Sequence, residues 1–386
     1  MIDPNLGFYT CDGQKFVSKI NAFLHSRATG KPVDWTFHDD AFSKYPWHIE
    51  PEASLDQLYD ARARQLREKY DYVVLSYSGG SDTHNILESF IRQGLHIDEI
   101  VTNHMTTATQ ATTVLDPRVK DSWNFAAEHQ LQAVPRLQYI RDRLPRTRIT
   151  ELDVSDVVVN SMRTTFNDVD WVLGRNDHLS IGQLFRFNYF HFGEIKKRFD
   201  RDLSVVIIVG IDKPKCYIDL ESNFWLSFVD GIANITTIND FNVDYTNTHT
   251  EMFYWSQDSM PMLCKQAHVI KRWLEINPKY QHGWQGLNIA RSRLLQERLL
   301  RPLLYNTTWN NNWFQANKST SFWQTEFDTW FHARPDLARE QQLWHQGITH
   351  LENILGEYVL RNDKGQPSGL KGFVKPYLVG SMKSVV

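Results

Sequence analysis

Cysteine is scarce in this chain. Its 386 residues hold three, Cys11, Cys216 and Cys264, and no C-x-x-C pair. So few isolated thiols exclude a disulfide framework and a cysteine-rich metal or iron–sulfur site, and reduced side chains are expected. Net charge is small, −3 at pH 7. That excludes a global basic field for non-specific nucleic-acid binding and leaves only local patches open. No apolar run approaches the length of a membrane span. The first residues, MIDPNLGFYTCDG, carry an acid and no basic stretch. No secretory signal is expected there, and the expectation is a cytoplasmic protein. The histidines show no H-E-x-x-H spacing. Neither a G-x-x-x-x-G-K-S/T loop nor a G-x-G-x-x-G turn is present, and no internal repeat is visible.

Against these absences stands one ordered stretch, YVVLSYSGGSDTHNILE, from Tyr72 to Glu88. Val73, Val74 and Leu75 are a short apolar run of strand type. Ser78-Gly79-Gly80-Ser81-Asp82-Thr83 follows at once. Ile86, Leu87, Phe90 and Ile91 then recur at helical spacing. Adjacent glycines let the backbone turn sharply and approach a ligand closely. The free N–H groups and the positive dipole end of the new helix point to the same place, which suits phosphate.

The flanking chain supplies a sheet for this loop. Helices are expected over Gln14 to Arg27 and over Leu55 to Lys69, the second capped by Ser54, with Arg62, Arg64 and Arg67 facing solvent. Asp34 to Pro51 reads as an irregular aromatic arm. Strands are expected near residues 98 and 148. Leu203 to Val209, LSVVIIV, reads as a central parallel strand buried on both faces. Strands near 73, 98, 148 and 204, separated by helical patterns, predict an α/β fold with a doubly wound, mostly parallel sheet. Ligands of such sheets bind beyond the carboxyl ends of the strands, near a switch in strand order. The expected division is an N-terminal helical or irregular arm over 1–69, a nucleotide-binding core over 70–216, and a mostly helical, aromatic-rich region over 217–386 with a flexible tail. The 13 tryptophans lie mostly in the C-terminal half.

Ser78 to Thr83 resembles the S-G-G-x-D-S/T signature of the PP-loop ATP pyrophosphatases at every fixed position, with Thr83 in the Ser/Thr place. That superfamily includes the C-terminal half of asparagine synthetase, GMP synthetase, argininosuccinate synthetase and the sulfonucleotide (PAPS) reductases. The likeness covers roughly residues 70–215. It implies an adenine nucleotide alpha-hydrolase-like fold and cleavage of ATP between the α and β phosphates. With its unfamiliar aromatic extension, the chain also resembles uncharacterised phage-encoded PP-loop proteins, which would place it in a host cytoplasm. The chain departs from several members. It lacks the C-x-x-C of the thiolation enzymes and the tail E-C-G-L-H motif of the reductases, and Ile2 stands where asparagine synthetase exposes a cysteine.

The candidate residues follow from what a nucleotide needs. Backbone N–H groups from Gly79 to Thr83, with the hydroxyls of Ser78, Ser81 and Thr83, suit the phosphates. Asp82 would repel them unless it holds Mg²⁺, a role that the resemblance supports. The resemblance also puts the adenine against Ser76, Tyr77, Thr102 and Asn103. Gly210 ends the hydrophobic strand. Beyond it, Lys213 is expected to reach a phosphate and Asp212 to share the metal. Asp82, Ser78 and Lys213 are the expected catalytic set. Gly174 to His178, and the basic face Lys265, His268 and Arg272, are weaker candidates for a second substrate. Lys371, Lys375 and Lys383 are candidates for a lid. The expected activity is AMP-forming: a substrate oxygen is adenylated, then displaced by an amine or another nucleophile, on a nucleobase, nucleic acid or small metabolite. The alternatives are a PAPS-using enzyme and a non-catalytic protein that binds a nucleotide or stacks nucleic-acid bases on Trp309, Trp313, Trp323 and Trp330.

Overall fold

The structure is a computed structural model. It describes residues 7–109, 128–174, 179, 181–185, 203–211, 213–233, 247–286, 299–310, 312–313, 327–328, 330–361 and 367–382. Asp212, 175–178, Trp323 and Lys383 lie outside these.

The N-terminal arm holds a three-stranded antiparallel sheet, where helix and irregular chain were expected. Its strands are β1 (Phe8–Cys11), β2 (Gln14–Phe16) and β3 (Val33–Thr36), in the order β2-β1-β3. Asp12 and Gly13 both take positive φ, at 49° and 76°. That is the Asp-Gly hairpin turn matched to strand twist. The helix expected from Gln14 therefore starts at Lys19, with Ser18 accepting the Asn21 N–H at 3.3 Å.

Five parallel strands form the central sheet. Four meet the sequence expectation: β4 (Tyr72–Ser76), β5 (Glu99–His104), β6 (Arg148–Asp153) and β7 (Val205–Val209). After β7 come β8 (Lys215–Ile218) and β9 (Asn223–Val229), then β10 (Thr248–Met252), which is the fifth. The order is β10-β7-β4-β5-β6. The chain leaves β4 on one side through β5 and β6, then returns to the other side of β4 for β7 and β10. This order fits a doubly wound sheet, with its switch point between β4 and β7. Residue 216 is thus not the sheet's limit, because the β10 edge comes from beyond it.

The C-terminal region adds β11 (Val359–Arg361), β12 (Pro367–Leu370) and β13 (Val374–Ser381). β13 pairs with β9, and β9 with β8, in an antiparallel sheet. The described residues of the stretch expected as a flexible tail are therefore largely strand up to Ser381. Of the lysines considered for a lid, Lys375 pairs with Asp39 at 2.9 Å, and the Lys371 main-chain N–H donates to the Tyr358 carbonyl. One apolar core joins the parallel sheet, the N-terminal sheet and the β8–β9–β13 sheet. A second lies among helices Lys19–Thr29, Ser155–Thr165 and Ala338–Leu355. No described helix is long and apolar enough to cross a membrane.

The helix Leu55–Lys69 starts with a capping box between Ser54 and Gln57, as its sequence predicts. Its arginines do not all face solvent. Arg62 is buried, with Nη2 at 3.0 Å from Glu251 at the end of β10. Lys69 and the Tyr70 hydroxyl also reach Glu251, each at 2.7 Å. Burial works against the Glu251 charge, yet the Arg62 charge and the bonds from Lys69 and Tyr70 hold its pKa below the usual glutamate value. Ionised Glu251 therefore contributes stability above the unfolded-state pKa, and this is lost as pH falls through the lower folded value. Glu251→Gln would leave the buried Arg62 charge with only the partly exposed Asp258 carboxylate, 3.3 Å from Nη1, as counter-charge. It is expected to cost about 3–5 kcal/mol in chemical denaturation at neutral pH, and to flatten the acid limb of the stability profile.

Candidate functional site

The site is built where two strand ends meet. β4 and β7 pair in register, Leu75 with Ile208, so the chain leaves both at one edge. After β4 the Tyr77 N–H still bonds the Val101 carbonyl at 2.8 Å, and the turn follows. Gly79 takes φ 73°. A Cβ there would lie 2.5 Å from the Ala133 nitrogen. Gly79 is thus required twice, by its backbone and by the 128–133 turn packed on it. Gly80 is the N-cap of the loop helix Ser81–Arg92. The first helical bond runs from the His84 N–H to the Gly80 carbonyl. The amides of Ser81, Asp82 and Thr83 lie ahead of that ladder.

The loop hydroxyls are engaged within the turn. Ser78 Oγ accepts the Gly80 N–H at 3.3 Å and sits 3.4 Å from Thr83 Oγ1, which donates to the Gly80 carbonyl. Ser81 is buried.

From the other strand end, Gly210 packs directly on the loop. A Cβ on it would lie 2.9 Å from Thr83 Cγ2. Three residues on, the Lys213 ammonium spans both Asp82 oxygens, at 3.0 and 2.9 Å. Lys213 is buried, while the Asp82 side chain keeps 21% exposure. The structure thus brings Gly79, Gly80, Asp82, Thr83, Gly210 and Lys213 together. Ser76 pairs with Val101 at the end of β4, beside buried Thr102 and Asn103 on β5.

Several contributors carried no readable signal. The Tyr305 hydroxyl donates to Asp82 Oδ1 at 2.7 Å, and the Tyr254 hydroxyl to the Asp82 carbonyl at 2.9 Å. Asn85 donates to the Tyr254 hydroxyl and accepts from Thr308, each at 3.1 Å. Both phenols have pKa values well above the ordinary tyrosine value, first through burial and then through neighbouring groups that include the Asp82 carboxylate. They therefore stay protonated donors. Asn85 shares a helix face with Ser81, Asp82 and Ser89, a polar stripe whose burial no local pattern reveals.

The opposite side of the loop helix carries a second cluster. The Tyr77 hydroxyl and His84 Nδ1 lie 3.1 Å apart. The Tyr139 hydroxyl donates to Glu88 at 2.6 Å. Arg136 donates to the Trp313 carbonyl and stacks on its indole, which also meets His84 edge-on. Burial, then the Arg136 charge, pushes the His84 pKa down to about 3.

The weaker candidates have structural partners. Lys265 pairs with Glu50 at 2.7 Å, His268 contacts the Trp47 carbonyl and Arg272 pairs with Glu50, so this basic face docks the N-terminal arm. Trp330 is buried and stacks on Phe327. No group of three or more acidic, histidine or cysteine residues suited to a metal occurs among the described residues. No family model matches the chain, and no curated protein sequence matches it.

Two outcomes are expected. Gly79→Ala, with a positive φ and a backbone clash, should lose at least about 1–2 kcal/mol in urea denaturation. His84 is neutral in the folded chain and takes up a proton when unfolded below pH 6.5. Its contribution is therefore present above pH 6.5 and is lost on acidification. The slope is about 1.4 kcal/mol per pH unit. His84→Gln should reduce the slope of stability against pH between 6.5 and roughly 5 by about that amount.

Proposed function

We propose that the chain binds ATP at the loop and cleaves it to AMP and pyrophosphate, adenylating an oxygen of a second substrate, on an adenine nucleotide alpha-hydrolase-like fold. The carrying observation is the meeting of Asp82 and Lys213 at the switch point, beside the leading amides of the loop helix. Those amides suit polyanionic phosphate oxygens. Lys213 supplies a buried positive charge three residues beyond Gly210, and in this reading its ammonium passes from the Asp82 carboxylate to a phosphate. Asp82 then has oxygens free for a hard cation, and its donor type and partial exposure fit Mg²⁺. Mg²⁺, when bound, would supply charge neutralisation of the departing pyrophosphate. Asp212 would be the second carboxylate, though it lies outside the described residues. Ser76, Tyr77, Thr102 and Asn103 border the place for the base.

In this reading a substrate oxygen attacks the α-phosphorus and the bond to the β-phosphate bridging oxygen breaks. Pyrophosphate leaves onto Lys213 and the loop amides. An amine or other nucleophile then displaces AMP from the adenylated substrate. The side chains bind, orient and stabilise charge, which suits a site without a conspicuous nucleophile.

A second reading is a protein that binds a nucleotide or nucleic acid without turnover. It is favoured by the double engagement of Asp82 by Lys213 and Tyr305, which leaves the carboxylate satisfied without a metal. The deciding assay is pyrophosphate release from α-labelled ATP with Mg²⁺, across small-molecule and nucleic-acid extracts. Labelled AMP should form with the wild type and fall at least about 100-fold with Asp82→Asn/Lys213→Met. That pair removes both charges at once, so neither is left buried alone. ADP and phosphate would refute the cleavage site. Tight ATP binding without turnover would establish the second reading.

A further inference from the structure

The loop site draws on a part of the chain remote in sequence. Residues 299–304 are helical, and the segment then runs across the start of the loop helix. Its main chain is tied down just before Tyr305. The Tyr59 hydroxyl donates to the Leu304 carbonyl at 3.0 Å, and Gln266 donates to that hydroxyl at 3.1 Å. Two helices, Leu55–Lys69 and Met260–Ile276, thereby fix the height at which the segment crosses.

From that anchor, two side chains reach one turn of the loop helix. Tyr305 meets Asp82 and Thr308 meets Asn85. The Tyr305 ring is packed between Tyr59 and Tyr254, with centroids 6.1 and 6.0 Å away. Tyr254 holds the Asp82 main chain while Tyr305 holds its side chain. Asp82 is thus fixed at its backbone and at one carboxylate oxygen by two buried phenols.

We infer that Tyr305 is a positioning residue for Asp82: its hydroxyl holds the carboxylate in the orientation that accepts a divalent cation beside pyrophosphate. This rests on the ATP-cleaving reading above. A carboxylate has about four acceptor positions. Lys213 takes one on each oxygen and Tyr305 a second on Oδ1. When phosphate draws Lys213 away, the phenol is the bond that remains. Without it the carboxylate rotates, and ordering it is left to the cation.

The test is pyrophosphate binding by calorimetry over a series of Mg²⁺ concentrations. It compares the wild type, Tyr305→Phe and Thr308→Val. Tyr305→Phe removes one hydroxyl and keeps the packed ring. It should raise the half-saturating Mg²⁺ concentration roughly tenfold while leaving metal-free pyrophosphate binding unchanged. Thr308→Val loosens the same segment from Asn85 without touching Asp82, and should leave the Mg²⁺ dependence unchanged. Equal shifts in both variants, or equal losses with and without metal, would mean a loosened segment and overturn the positioning role. A wild-type Mg²⁺ dependence matched by Tyr305→Phe would overturn it alone. Absence of Mg²⁺-dependent binding in the wild type would overturn it together with the ATP-cleaving reading.

Discussion

The contact between the Lys213 ammonium and the Asp82 carboxylate joins the two strand ends on which the site depends. It is possible only because β4 and β7 are neighbours, although β5, β6 and their helices lie between them in sequence. It also needs Gly210, where any side chain would push against Thr83. A buried ammonium is costly without a counter-charge, so the pair couples the position of one loop to the other. Tyr254 and Tyr305 then complete the enclosure from beneath.

The same principle recurs away from the site. Arg62 is matched by Glu251 between a helix and the edge strand, and Lys19 by Asp230 between the N-terminal arm and the end of β9. Each pair joins segments distant in sequence and lies in or beside a shared apolar core. Breaking one partner leaves a charge in a low-dielectric interior, a larger effect than the pair's own attraction. These pairs specify which segments meet, while large aromatic side chains such as Trp35 and Trp255 are fully buried in the core.

The central strands were legible because their signals are local. β7 is five consecutive β-branched residues, and β4 is an apolar run ending in a Gly-Gly turn. The loop and its helix read correctly for the same reason. β10 was not legible, since THTEM has the composition of a polar edge and gains its place only by pairing with β7. β13 looked like a loose tail because glycine, lysine and proline mask an alternation that matters only once β9 lies alongside. The burial of Arg62 has no local signal, because its counter-ion lies 189 residues away. Tyr305 escaped for that reason too: nothing in a Trp- and Asn-rich stretch says which phenol will meet a loop 223 residues earlier.

The Lys19 and Tyr9 contacts with Asp230 bear on how the chain is made. Lys19 is fully enclosed, and the Tyr9 hydroxyl reaches an acceptor 221 residues downstream. The Asp230 carboxylate also receives the Phe373 N–H, from still later in the chain. During synthesis the first sheet emerges long before either partner exists, so its inner face has nothing to close against. Such late, long-range closure is slow and leaves apolar surface bare meanwhile. Until those partners arrive, the arm of the growing polypeptide carries apolar surface that nothing in the chain yet covers.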